Sequence, residues 1–86
     1  MSVIELFTKD DCELCDELKI RAQRLAEGFG FEFRVTHLTP GDPLFDKYKH
    51  TFPVLKAENG REVSGKVTDN DLWALFLSLT TPPRLY

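Results

Sequence analysis

Two β-prone runs, VIELF at residues 3–7 and FEFRVTHL at residues 31–38, stand on either side of a stretch with helical period. In that stretch Leu14, Leu18, Ala22, Leu25 and Phe29 recur every three or four residues. Lys19, Arg21, Arg24 and Glu27 fall elsewhere, which is the pattern of an amphipathic helix. A strand, a helix and a second strand in one sheet connect by a right-handed crossover, which makes the strands parallel. The first run carries apolar groups on both faces, as a central strand does. The second alternates, with Phe31, Phe33 and Val35 on one face, and predicts a strand with that face on the core. Asp10 or Asp11 is expected to cap the start of the helix, and Gly28 and Gly30 to end it.

The remaining chain adds smaller units. Thr39-Pro40-Gly41 breaks the second strand, and Asp42-Pro43 pairs a capping residue with proline at a first helical position. This predicts a short helix through about Lys49. FPVLKA, residues 52–57, is apolar and β-prone, with its proline near the start, where a missing N–H does least harm. Asn59-Gly60 is a strong hairpin signal, with Arg61 to Ser64 as the returning strand. Thr68-Asp69-Asn70-Asp71 then offers a cap and acidic residues suited to a helix N-terminus. Leu72, Leu75, Phe76 and Leu79 form the expected buried face of a last helix, with Trp73 and Leu77 off that stripe as peripheral core. Pro82-Pro83 keeps residues 80–86 from being helical, so these are read as a C-terminal tail. The predicted order is β-α-β-α-β-β-α in a single domain over residues 1–86.

Length and charge narrow the function. A chain of 86 residues buries only about 60–65% of its unfolded surface, so the core must be compact. A net charge of −3 with no basic run gives no general attraction to nucleic acid or anionic membrane. No apolar run approaches the roughly 20 residues of a membrane span. The N-terminal segment is broken by Glu5 and lacks a basic start, unlike a signal peptide. The expected location is therefore the cytoplasm, where paired cysteines are more often catalytic or metal-binding than a structural disulfide.

Those cysteines are Cys12 and Cys15, the chain's only two. They could be a redox pair, half of a metal site, or two small buried side chains. A metal site would need His37 and His50, but C-x₂-C-x₂₁-H-x₁₂-H matches no zinc-finger spacing, and no metal is expected. For exchange chemistry the position is apt. Cys12 falls in the first turn of a helix, where free N–H groups and the positive dipole end favour a thiolate. Cys15 lies one turn further in, close enough to resolve a mixed disulfide. Asp10, Asp11, Glu13, Asp16 and Glu17 surround the pair; they suit a helix start but disfavour a thiolate.

Three segments resemble glutaredoxins. LFTKDDCELC resembles their active-site strand and turn, in which an aromatic, a small hydroxyl residue and a lysine precede C-x-x-C. TFPVL resembles the Thr-x-Pro segment that faces the cysteines in thioredoxin-fold proteins, its proline cis. SGKVTDNDL resembles the segment that holds glutathione's γ-glutamyl end at a helix N-terminus. The resemblance spans Val3 to Leu79. It implies a thioredoxin (glutaredoxin-like) α/β fold, a four-stranded mixed sheet flanked by three helices. It implies Cys12 as nucleophile, Cys15 as resolving thiol and Lys9 as the cation that favours the thiolate. Pro53 would be cis, leaving the Phe52 backbone free to pair with substrate, and Thr68 and Asp69 would meet the γ-glutamyl group.

The implied activity is thiol–disulfide oxidoreduction by a monomer with no tightly bound cofactor. Glutathione is a co-substrate candidate, and glutathione or a thioredoxin-type reductase would supply electrons. The sequence departs from the family in three places. Glu13 and Leu14 replace the usual proline and tyrosine between the cysteines, acidic residues crowd the pair, and only Gly65 stands where two glycines are usual. A less acidic nucleophile and weaker glutathione use are expected, with a protein disulfide or cationic partner better matched. Leu14 and Phe52 are expected to form an apolar rim beside Cys12. The alternative is a redox-silent module that holds an extended peptide in the Phe52-Pro53 groove.

Overall fold

The two inner strands of the sheet are the most apolar ones. In a computed structural model that describes residues 2–80, β1 (Val3–Thr8) lies between β2 (Glu32–His37) and β3 (Val54–Ala57), and β4 (Glu62–Ser64) forms the far edge. β1 and β2 are parallel, while β1–β3 and β3–β4 are antiparallel. Helices α1 (Glu13–Phe29), α2 (Pro43–Tyr48) and α3 (Asp69–Ser78) complete the predicted order. The tail expected at residues 80–86 lies, from 81 onward, outside the described residues. Among the described residues no helix is long and apolar enough to cross a membrane.

Strand alternation divides the interior in two. Ile4 and Leu6 of β1, with Leu55 and Ala57 of β3, face α1 and α3 and pack with Leu18, Ala22, Ala26, Leu72, Leu75 and Phe76. Full burial of side chains such as Ile4, Leu6 and Phe76 stabilises by about 1.5–3 kcal/mol each. Phe7 and Val54 point the other way, into a smaller cluster with Leu38, Tyr48, Phe52 and Cys15.

Two expectations about faces are corrected. The buried stripe of α1 runs through Cys15, Leu18, Ala22 and Ala26, whereas Leu14 is 41% exposed and Leu25 and Phe29 are half-buried. Cys15 takes the inward position one residue after Leu14, so the stripe is rotated around the helix. Val35, expected on the core face, is 42% exposed. Its strand is an edge strand bonded only to β1, and the aromatic cover from Phe29 and Phe76 reaches Phe31 but not this end.

The turns follow their residue chemistry. Asp42 Oδ1 accepts from the Leu44 N–H at 2.9 Å, with Pro43 opening α2. The Asn59-Gly60 hairpin has a three-residue loop: Ala57 pairs with Arg61 across it, the Gly60 N–H donates to the Ala57 carbonyl at 3.0 Å, and Gly60 has φ 93°. That is a turn closed by a glycine bulge. Thr68 and Asp71 form a reciprocal capping box at the start of α3.

Candidate active site

The β1–α1 turn brings the cysteines together. Asp11 has φ 53°, a left-handed conformation that aspartate adopts more readily than most residues. After this turn Cys12, rather than the expected Asp10 or Asp11, becomes the N-cap of α1: its φ and ψ are −130° and 98°. Its Sγ accepts the Cys15 N–H at 3.2 Å. The two sulfurs lie at disulfide distance, with Cα atoms 5.2 Å apart. Cys12 is half-buried, whereas Cys15 is 1% exposed. The outer sulfur thus sits where free N–H groups and the helix dipole favour negative charge, and the inner one is sheltered.

The Phe52-Pro53 peptide bond is cis. The Phe52 side chain is buried against Phe45 and the cysteine-end cluster, so it is core and not the apolar rim expected. Among the described residues neither the Phe52 N–H nor its carbonyl makes a hydrogen bond. The Gly65 N–H donates to both the Thr51 and Pro53 carbonyls, each at 3.0 Å. Gly65 has φ 71°, a conformation that only glycine adopts at little cost. This glycine thereby fastens the start of the β4–α3 connection to the cis-proline loop.

Lys9 lines a cavity of about 460 Å³ together with Cys12, Asp10, Asp11, Asp16, Lys19 and His37. Thr68 lies elsewhere, in a groove of about 150 Å³ whose walls include Leu14, Leu18, Arg21 and Gly65. Its hydroxyl accepts the Asp71 N–H at 3.1 Å. Asp69 is engaged from the side: Arg21 donates to its Oδ1 at 2.6 Å and to the Val67 carbonyl at 3.0 Å. The cysteines, Lys9 and the Phe52-Pro53 loop therefore cluster at one end of the sheet, Thr68 borders the adjoining groove, and Asp69 lies on a second groove with Arg24, Leu72 and Trp73, Arg21 standing between the two.

Two participants escaped the sequence reading. Arg21 showed only as a polar residue on the helix face. His37 was weighed only as a metal ligand, yet its Nε2 lies 3.0 Å from Asp10 Oδ1 and its Nδ1 3.3 Å from Thr8 Oγ1. The parallel register, which pairs Thr8 with His37, carried that signal. Among the described residues no three His, Cys, Asp or Glu side chains group to hold a metal ion.

Comparison with known proteins agrees with this geometry. The family model described as Glutaredoxin-like domain (DUF836) matches residues 3–77. The Northeast Structural Genomics target protein XcR50 from X. campestris is similar in structure, with a TM-score of 0.68 and 29% identity. The match covers 92% of this chain and 99% of that one. A malarial protein of known structure, 18% identical, shares the fold with a TM-score of 0.69, over 91% of this chain and 96% of that one. No curated protein matches. With its thioredoxin-like fold and a family match covering most of its length, the chain belongs to the glutaredoxin-like (DUF836) family.

Proposed function

We propose that this protein is a thiol–disulfide oxidoreductase acting on protein disulfides in preference to glutathione mixed disulfides. The carrying observation is the asymmetry of the pair: Cys12 is half-buried at a helix N-cap and Cys15 is sheltered beside it. The Cys12 thiolate attacks one sulfur of a substrate disulfide, forming a mixed disulfide and expelling the other sulfur as a thiolate. Cys15, deprotonated, then attacks Cys12 Sγ, which frees the second substrate thiolate and leaves the Cys12–Cys15 disulfide. Glutathione or a thioredoxin-type reductase returns two electrons to it.

The unpaired Phe52 backbone supports a substrate chain that pairs in extended form beside the sulfurs. Lys9, on the wall of the Cys12 cavity, favours the thiolate. Thr68 and Asp69 form a subsite for a γ-glutamyl group, in which an incoming ammonium must share Asp69 with Arg21. That sharing and the surrounding carboxylates support weak use of glutathione, itself an anion. The protein works as a cytoplasmic monomer, within a single domain, without a tightly bound cofactor.

The test is a comparison of Cys12→Ser with the wild type on a protein disulfide and on a small glutathione mixed disulfide. Reductase activity is expected to vanish in the variant, and the wild type to prefer the protein substrate. Activity that survives Cys12→Ser would sink the mechanism and leave a redox-silent peptide-binding module in the Phe52-Pro53 groove as the better reading.

A further inference from the structure

We propose that the groove between α1 and α3 is a docking site for a segment of a partner protein that carries an aromatic side chain beside a carboxylate. The groove has a volume of about 340 Å³. Arg21, Arg24 and Leu25 line it from α1, and Asp69, Leu72 and Trp73 line it from α3. It shares no residue with the Cys12 cavity, and the inference holds whatever the redox role of the cysteines.

Three observations carry it. Trp73, expected as peripheral core, is 48% exposed. Its indole meets the Phe29 ring edge-on, with centroids 5.7 Å apart, so one side is held while much of its surface faces solvent. Beside it Leu72 is buried and Leu25 half-buried, which makes that part of the groove apolar. Arg21 is already engaged, by Asp69 at 2.6 Å and the Val67 carbonyl at 3.0 Å. Arg24 is exposed, and among the described residues nothing pairs with it.

The charges decide what fits. Arg21 and Asp69 cancel, so the groove presents one unanswered cation, Arg24, together with an exposed tryptophan. Tryptophan and arginine are enriched among the residues that carry binding energy in protein interfaces. An apolar group alone would leave Arg24 without a counter-charge, and an acidic group alone would leave the indole wet. The chain as a whole carries −3, so the pull of Arg24 on a carboxylate is local and screened beyond about 10 Å. It therefore selects a partner by where its carboxylate stands relative to the ring that covers Trp73. A nucleic acid is a poorer match, because its affinity grows with the number of phosphates neutralised and a single free cation supplies one.

Trp73 is the chain's only tryptophan, so its fluorescence reports on the groove directly. The probe is the blocked peptide acetyl-Gly-Ser-Phe-Glu-Ser-Gly-amide, titrated into the intact chain to about 1 mM, the weak end of specific binding. The control peptide has lysine in place of the glutamate. A saturable change in emission is expected with the glutamate peptide, and binding of the lysine peptide weaker by about two- to fivefold, the size of one exposed charge pair. Arg24→Glu, a surface change, should reverse that preference. Equal responses to the two peptides, no response to either, or a preference unchanged in Arg24→Glu overturns the proposal. So does a larger response to a single-stranded oligonucleotide than to the glutamate peptide. Emission that shifts with protein concentration alone would assign the groove to a second copy of the chain. Emission that shifts when residues 81–86 are removed would assign it to that segment, and either result overturns the proposal as well.

Discussion

Arg21 reaches from the middle of α1 to Asp69 at the first position of α3, 2.6 Å from its Oδ1, and donates to the Val67 carbonyl at 3.0 Å on the way. One side chain thus ties the cysteine helix to the β4–α3 connection that borders the Thr68 groove. The carbonyl contact is half-buried and the carboxylate contact is exposed, which predicts unequal losses. Arg21→Gln should lower stability by about 1–2 kcal/mol, because a charged donor to a sheltered carbonyl is lost. Asp69→Asn should cost under about 1 kcal/mol, as an exposed ion pair contributes little. Urea unfolding of the two variants measures the difference; equal losses would show that the ion pair, not the carbonyl bond, does the fastening.

Gly65 gives a separate prediction, for backbone conformation alone. A Cβ added there meets nothing within 4 Å, so packing does not oppose a side chain. The φ of 71° does, and an alanine in that region costs about 1–2 kcal/mol. Gly65→Ala should therefore lose about that much stability, and Gly65→Asn less, since asparagine tolerates the left-handed region. Because the Gly65 N–H holds the Thr51 and Pro53 carbonyls, amide chemical shifts at Thr51 and Phe52 should move in Gly65→Ala. Unchanged shifts there would mean that this fastening does not set the loop.

The inner cysteine predicts a trap. With Cys15→Ser the second step of exchange has no nucleophile, so a mixed disulfide on Cys12 should accumulate when the reduced variant meets an oxidised protein substrate. Intact mass should show one added partner, released by a reductant, whereas the wild type should show none at the same time point. A variant that gathers no adduct would remove Cys12 as the attacking thiol.

Much of this molecule is legible in the residues because local signals and tertiary packing agree. Asp42-Pro43 opens a helix where its chemistry says it should, Asn59-Gly60 closes a hairpin, and Thr68 with Asp71 makes a capping box. The cis Phe52-Pro53 bond followed from the likeness of TFPVL to a known segment, not from any local propensity. The misses share a cause, which is that a neighbour absent from the local sequence decides the outcome. Leu14 and Cys15 are both apolar enough to face inward, and only the path of α1 over the sheet chooses between them. Val35 alternates like a core residue, but its exposure depends on what crosses an edge strand. The contact of His37 with Asp10 needs a register between strands 29 residues apart in sequence (Thr8 and His37). Asp11, with its left-handed φ, moved the cap onto Cys12 itself, and this matters most for chemistry because it lets the sulfur accept the free Cys15 N–H.

The split interior has a mechanical consequence. Cys15 belongs to the lesser cluster, with Phe7, Leu38, Tyr48, Phe52 and Val54. Among the described residues, the hydrophobic mass that holds the sheet to α1 and α3 contains no sulfur. Making or breaking the Cys12–Cys15 bond therefore works on the smaller chamber and spares the foundation. Under the proposed function, cycling between dithiol and disulfide would act at this one end, while the stability of the fold is carried elsewhere.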